Sequence, residues 1–157
     1  MIKLFCIGKN KDSSLRKWED EYKKRLSAFD KIEVVEFKDE PDSHSEREKE
    51  AEKIKEIEGA RVLDKIKPDD FVILLDLHGK MVDSIEFSKL RSQWTRTSKP
   101  LVFVIAGSLG PSADLVKRAN WRWKLSDLTM THLMCRVLVL EQIYRSFMIE
   151  AGRRYHK

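Results

Sequence analysis

Leu101-Val102-Phe103-Val104-Ile105, running straight into Ala106-Gly107-Ser108-Leu109-Gly110-Pro111-Ser112, is the stretch that decides the fold. Five apolar residues without alternation mark a strand covered on both faces, as in a parallel sheet, and the small residues behind them mark an abrupt end. Phe71–Leu75 reads the same way and ends in Asp76. Working outward, Ile2–Ile7 and Ile32–Phe37 are further strands, and Trp121–Leu125 is a short last one. Helical spacing fills the intervals. Ser13–Ser27 carries Leu15, Trp18, Tyr22 and Leu26, with Ser13 or Ser14 as its cap. Glu40-Pro41-Asp42-Ser43 opens a long charged helix, roughly Ser45 to Ile66, with a sparse stripe at Ala51, Ile54, Ile57 and Leu63. Gly59 within it costs about 1 kcal/mol against Ala, which predicts a close packing contact or a break there. Asp83–Trp94 is helical, Ser112 caps a short helix to Arg118, and Thr131 begins a long helix to about Glu150. Alternating strands and helices predict one three-layer α/β domain over residues 1–157, with a mostly parallel sheet.

The chain has 157 residues, 41% hydrophobic and 36% charged, enough for a core without disulfides or metal. Apolar runs stay well short of the ~20 residues of a membrane span, and the first apolar run is too short for a signal peptide. Cys6 and Cys135 lie in apolar runs, which predicts two buried free thiols and a cytoplasmic protein. The net charge of +5 is unevenly placed. Lys117 to Lys157 holds nine Lys/Arg against three acids, so residues 1–116 carry −1 and the whole excess lies in the last quarter. Such asymmetry reads as a solvated basic face or as a footprint for a polyanion, RNA or DNA first.

Ligands of open α/β sheets bind beyond the carboxyl ends of the strands. Three such ends carry suitable residues: Leu75-Asp76-Leu77-His78-Gly79-Lys80, Ala106-Gly107-Ser108-Leu109-Gly110, and Leu125-Ser126-Asp127-Leu128-Thr129-Met130-Thr131-His132. Gly107 and Gly110 fit a tight turn or a backbone brought close to a ligand. G-x-G-x-x-G and the G-x-x-x-x-G-K-[ST] loop are both missing, which argues against a nucleoside triphosphate enzyme. Histidines at 44, 78, 132 and 156 have no metal-ligand spacing, so no metal is expected. The helix from Thr131 is apolar almost all round and needs cover on most sides, which points to a homodimer. Along it His132 and Arg136 share one face, while Glu141 and Arg145, on the opposite side, read as a structural ion pair. The tail Gly152-Arg153-Arg154-Tyr155-His156-Lys157 is either a frayed end or a group of residues for stacking on a base and neutralising phosphates.

Taken together, "LDLHGK", "FVIAGSLG", "LSDLTMTH" and "RVLVLEQIYRSFMIEAGRRYHK", with "IGK", "EYKKRL" and "EGARVL" upstream, resemble a family of small ribosomal RNA large-subunit methyltransferases of the SPOUT superfamily. The resemblance covers nearly the whole chain. It implies a trefoil knot near the C-terminus, a homodimer, S-adenosyl-L-methionine as cofactor, and methylation of N3 of a pseudouridine in large-subunit ribosomal RNA on the assembled ribosome. By motif position it implies a cofactor pocket from Leu75, Ala106, Gly107, Gly110, Leu125, Ser126, Asp127, Leu128, Thr129 and Met130. The tail's Tyr155, His156 and Lys157 match the family's substrate-side ending. Departures are Ala106-Gly107 where the family commonly has Gly-Gly, Leu133 in place of Gln, and Arg154 in place of a Pro before Tyr155. Ala106 is tolerable only with negative φ, and Arg154 predicts a looser tail.

The chemistry this implies is removal of an imide proton, for which a histidine near neutrality is suited. His156 is the expected base, with Arg136, Arg154 or Lys157 stabilising the base anion or holding phosphates, and Tyr155 positioning the nucleotide. Alternatively positive charge alone suffices. Two other functions fit the same residues: a methyltransferase of this fold acting on transfer RNA, and a non-enzymatic RNA-binding assembly factor.

Overall fold

The computed structural model describes residues 1–42 and 46–157. Its elements are β1 (Ile2–Ile7), α1 (Ser13–Leu26), β2 (Ile32–Phe37), α2 (Glu48–Leu63), β3 (Phe71–Lys80), α3 (Ser84–Thr95), β4 (Leu101–Ile105), α4 (Ala113–Arg118), β5 (Trp121–Trp123) and α5 (His132–Glu150). The five strands form one sheet in the order β2-β1-β4-β3-β5, every neighbouring pair parallel. The apolar runs explain the middle of that order: all five residues of β4 are buried, between β1 on one side and β3 on the other.

Helices cover both faces. One core, with Leu4, Ile73, Phe103 and Trp123, lies under α1, α3 and α5, where Phe87 of α3 stacks on Trp123 at 4.2 Å. The other, with Phe5, Val72, Val104 and Leu115, lies under α2 and α4. Because every strand points the same way, the loops after β3, β4 and β5 leave from one end of the sheet.

β1, β2 and β4 have the bounds their apolar runs predict, and the caps Ser112 and Thr131 are as expected. Several expectations are corrected. Asp12, not Ser13 or Ser14, caps α1 by accepting from the amides of Ser14 and Leu15, and Trp18 on that helix is 53% exposed rather than turned to the core. α2 ends at Leu63 and buries Glu58, Gly59 and Val62, while Ile57 of the expected stripe is exposed. That helix is unbroken at Gly59, which instead lets it approach α4: an added Cβ would collide with Ser112 Oγ and stand 3.0 Å from Ser112 Cβ. The expected start at Ser45, with Ser43 and His44 before it, lies outside the described residues. β3 runs on to Lys80, β5 stops at Trp123, and Cys135 is half-buried.

Candidate active site

The β3 extension is a bulged ladder: both Leu75 and Lys80 register with Trp123 of β5, and the intervening residues bow outward. Asp76 closes the bow, accepting from the His78 amide at 2.9 Å and from Arg122 Nε at 2.8 Å. Gly79 permits it, because a Cβ there would stand 2.6 Å from the Arg122 backbone carbonyl. After β4, Gly110 takes φ 91° and its amide returns to the Gly107 carbonyl at 3.0 Å. Among the described residues only Ser98 combines a side chain with positive φ, so Ala106 sits in ordinary backbone and its methyl is accommodated. After β5, Lys124 donates its amide to the Lys80 carbonyl at 3.0 Å, and Thr131 Oγ1 accepts from the Met134 amide to start α5.

These three segments wall one cavity of about 880 Å³. Leu75, Ala106, Gly107, Gly110, Leu125, Ser126, Leu128, Thr129 and Met130 all line it, so nine of the ten expected pocket residues are brought together. Asp127 is the exception: it is turned outward to Lys124 Nζ at 2.5 Å, its side chain 77% exposed, and it does not line the cavity. The local i,i+3 ion pair wins over the ligand-facing role expected of it.

His132, the last residue of the third strand-end segment, lines it with Leu133 and Cys135 of the first turn of α5, and Asp12 and Leu15 at the start of α1 and Lys55 of α2 line it as well; sequence reasoning did not assign Leu133 and Cys135 to the pocket. Their signal was available, since they directly follow the loop that lines it. His132 also faces a smaller hollow of about 180 Å³ beyond Gly107, walled by Asp39 and the buried Glu58. Burial, then the charge of Arg136, pulls the His132 pKa below its ordinary value and keeps the ring neutral. Burial raises the Glu58 pKa in the same hollow.

Arg136 is not at the surface. Its side chain is fully buried, donating from Nη1 to Glu36 Oε2 at 2.6 Å and from Nη2 to the Gly8 carbonyl at 2.7 Å. The expectation that it faces RNA is corrected: the helix face it shares with His132 packs onto the ends of β1 and β2, where Glu36 and the Gly8 carbonyl receive it, with Glu19 of α1 3.9 Å away. Burial alone would raise Glu36, but hydrogen bonds from Arg136 and the Asn10 amide hold its carboxyl below the ordinary value.

The tail is folded against α5. Gly152 at φ 66° turns the chain, with the amides of Gly152 and Arg153 returning to the carbonyls of Ile149 and Met148. Tyr155 then donates its hydroxyl to Glu141 Oε1 at 3.1 Å and meets the Tyr144 ring edge-on at 5.0 Å. Burial, with Tyr22 and Glu141 beside it, raises the Tyr155 pKa and keeps the phenol protonated. His156 Nδ1 lies 3.1 Å from Arg145 Nη1. Arg154, His156 and Lys157 are exposed. The expected looseness is therefore not what the tail shows; Glu141 and Arg145, expected to be a plain ion pair, are its seat.

This seat is distant from the cavity of the same chain. His132 and Arg145 are thirteen residues apart on α5, which at 1.5 Å per residue is about 20 Å. One chain thus carries a cavity at one end of α5 and the tail toward the other.

A family model described as "Predicted SPOUT methyltransferase" matches residues 1–156. Ribosomal RNA large subunit methyltransferase H of Clostridium novyi (strain NT) is 41% identical over 157 residues, spanning 99% of each chain. The protein of the same name from Lactobacillus acidophilus is 43% identical, with the same coverage. The solved structure of a probable methylase family protein from Haemophilus influenzae Rd KW20 is similar in fold, with a TM-score of 0.55 at 11% identity, over 99% of this chain and 70% of that one.

Proposed function

The chain belongs to the SPOUT methyltransferase family, and from that premise we propose that it transfers a methyl group from S-adenosyl-L-methionine to N3 of a pseudouridine in large-subunit ribosomal RNA, on the assembled ribosome, as a homodimer. The observation that carries the reading is the cavity where three sheet-end loops converge. Its volume is within the range of roughly 300–1,000 Å³ for small-molecule sites, and its lining suits the cofactor. Leu75, Ile105, Val116 and Leu125 offer apolar walls for a flat base. Gly107 is shared between the cavity and the smaller hollow, and a Cβ there would stand 3.1 Å from Glu58 Oε1 on the hollow's side. A trefoil knot through the segments after β4 and β5 is part of the proposal.

The bound cofactor supplies an already activated methyl, so the chain's task is alignment and management of the imide proton. The loops fix one reactant. The tail, with Tyr155, His156, Arg154 and Lys157, is proposed to hold the other. The distance of about 20 Å along α5 supports a second copy, whose tail would meet this chain's cavity. Surface chemistry supports it too: Leu133, Val137 and Leu138 of α5 are only half-buried, and Met134, Trp18 and Leu128 are exposed. The relatives' name, ribosomal RNA large subunit methyltransferase H, supports the substrate class.

Whole ribosomes, free large-subunit RNA and transfer RNA, each incubated with protein and methyl-labelled cofactor, test the reading. Label is expected in large-subunit RNA from whole ribosomes, on one pseudouridine. Label in transfer RNA alone would overturn the substrate, and no calorimetric binding of S-adenosyl-L-methionine would overturn the enzyme.

A further inference from the structure

We propose that Glu141 and Arg145 are a positioning pair that fixes His156 as its Nε2–H tautomer, so that the tail offers the target nucleotide a hydrogen-bond donor rather than a general base. The proposal rests on the methyltransferase reading above. It starts from the 3.1 Å approach of Arg145 Nη1 to His156 Nδ1. A guanidinium has only donors and stays charged in proteins, so Nδ1 must be the acceptor. A neutral imidazole that accepts at Nδ1 carries its hydrogen on Nε2. A doubly protonated ring would place two cations in contact with no acceptor between them.

Arg145 is itself held. Its Nε and Nη2 donate to Glu141 Oε1 at 3.0 and 2.6 Å, which leaves Nη1 directed at the imidazole. The same carboxylate oxygen accepts the Tyr155 hydroxyl at 3.1 Å, and the Arg145 guanidinium lies over the Tyr155 ring, 4.7 Å from its centre. One carboxylate therefore registers two consecutive tail residues. His156 itself is exposed, and its one side-chain hydrogen bond among the described residues is through Nδ1.

The consequence for the reaction is specific. N3 of the pseudouridine is flanked by two carbonyls, and loss of its proton places negative charge on N3 and both oxygens. In this pose neither ring nitrogen of His156 has an open lone pair, so the proton passes to solvent water while the N–H electron pair stays on nitrogen. Nε2–H donates to the carbonyl oxygen where charge accumulates. N3 then forms the new N–C bond to the methyl as the C–S bond breaks onto sulfur, turning the sulfonium into a neutral thioether.

Two measurements decide it. In single-turnover methylation of ribosomes, His156→Ala is expected to lose roughly 10²-fold, the usual effect of deleting one positioned donor. His156→Gln, which keeps an N–H at similar reach but takes up no proton, is expected to stay within about tenfold of wild type; a Gln variant as slow as Ala would overturn the donor role. Nitrogen-15 NMR of the full-length protein is expected to show His156 with Nδ1 bare and Nε2 protonated, and loss of that signature in Arg145→Ala. A predominant Nδ1–H form in the wild-type protein, or an unchanged signature in Arg145→Ala, would overturn the positioning. The NMR result needs no substrate, so a wild-type protein that methylates nothing would defeat the functional reading and leave the tautomer assignment standing.

Discussion

Replacing Arg136 with Met severs the link between α5 and the ends of β1 and β2, and the size of the effect follows from its partners. Two charge-assisted hydrogen bonds disappear, to Glu36 and to the Gly8 carbonyl, and the nearby Glu19 carboxylate, 3.9 Å away, loses a counter-charge. Glu19 remains bonded to Asn10 Nδ2 at 2.8 Å, and the Glu36 side chain is 37% exposed, so water reaches it in the variant. Removing one partner of a buried pair costs 3–5 kcal/mol when the other is stranded; here the lower end applies, about 3 kcal/mol. For a domain of this size that lowers Tm by about 6–12 °C. Acid should shrink the difference. Glu36 is held below its ordinary value of 4.5 by Arg136 and Asn10, against burial that raises it. The stability it contributes is therefore present above pH 4.5 and lost as pH falls through the folded-state value. Calorimetric melts of wild type and Arg136→Met across pH 7 to 4 read both effects. An unchanged Tm at pH 7 together with weakened RNA binding would refute the structural role and return Arg136 to the RNA surface.

Two further outcomes follow from local geometry. Gly59→Ala gains about 1 kcal/mol of helix propensity but forces a methyl onto Ser112, which caps α4 through the Leu115 amide, and such overpacking costs about 1–3 kcal/mol. Urea denaturation should show a less stable protein; a stabilised variant would mean that α2 and α4 do not approach as described. Iodoacetamide should spare Cys6, whose thiol burial pushes up to about 12, and modify the half-buried, cavity-lining Cys135 slowly, with S-adenosyl-L-methionine slowing it further. Peptide mass mapping checks this, and equal labelling of the two cysteines would contradict their placement.

What the sequence disclosed and withheld has a common physical root. A strand buried on both faces is apolar almost throughout, so β1 and β4 announce their own limits, while β2, at the sheet edge, does so by its Ile, Val and Phe between exposed glutamates. The continuation of β3 past Leu75 depends on pairing with β5 and on the missing Cβ of Gly79 against Arg122, neither of which its own residues signal. α2 hides its inner face because that face contains Glu58 and Gly59, chosen for close approach and not for apolarity. The three strand-end segments were legible because such loops converge by topology, whereas the ten pocket residues came from the family resemblance; nine of them line the cavity, and Asp127 is paired instead with a neighbour three residues away. Arg136 was misplaced for the opposite reason: its partner Glu36 is 100 residues distant in sequence.

The basic excess itself changes meaning when each charge is given its partner. Among the nine Lys and Arg from Lys117 onward, Arg118 holds the Lys67 and Asp70 carbonyls, Arg122 holds Asp76, Lys124 holds Asp127, Arg136 holds Glu36 and Arg145 holds Glu141. Those five serve the fold. Of the other four, Lys117 stands apart, while Arg153, Arg154 and Lys157 are concentrated in the last five residues. On the proposed reading, a tail offering three cations to RNA would give a salt dependence of only about 2 to 3 in logarithmic slope, at 0.7–0.9 per phosphate. That is small beside the 6–10 contacts of strongly electrostatic nucleic-acid binders. Charge alone therefore does not select the substrate. On the proposed function shape supplies the rest, which a large preformed RNA surface offers more of than a short free strand, and the proposed Glu141–Arg145 seat would set the pose in which the three charges arrive.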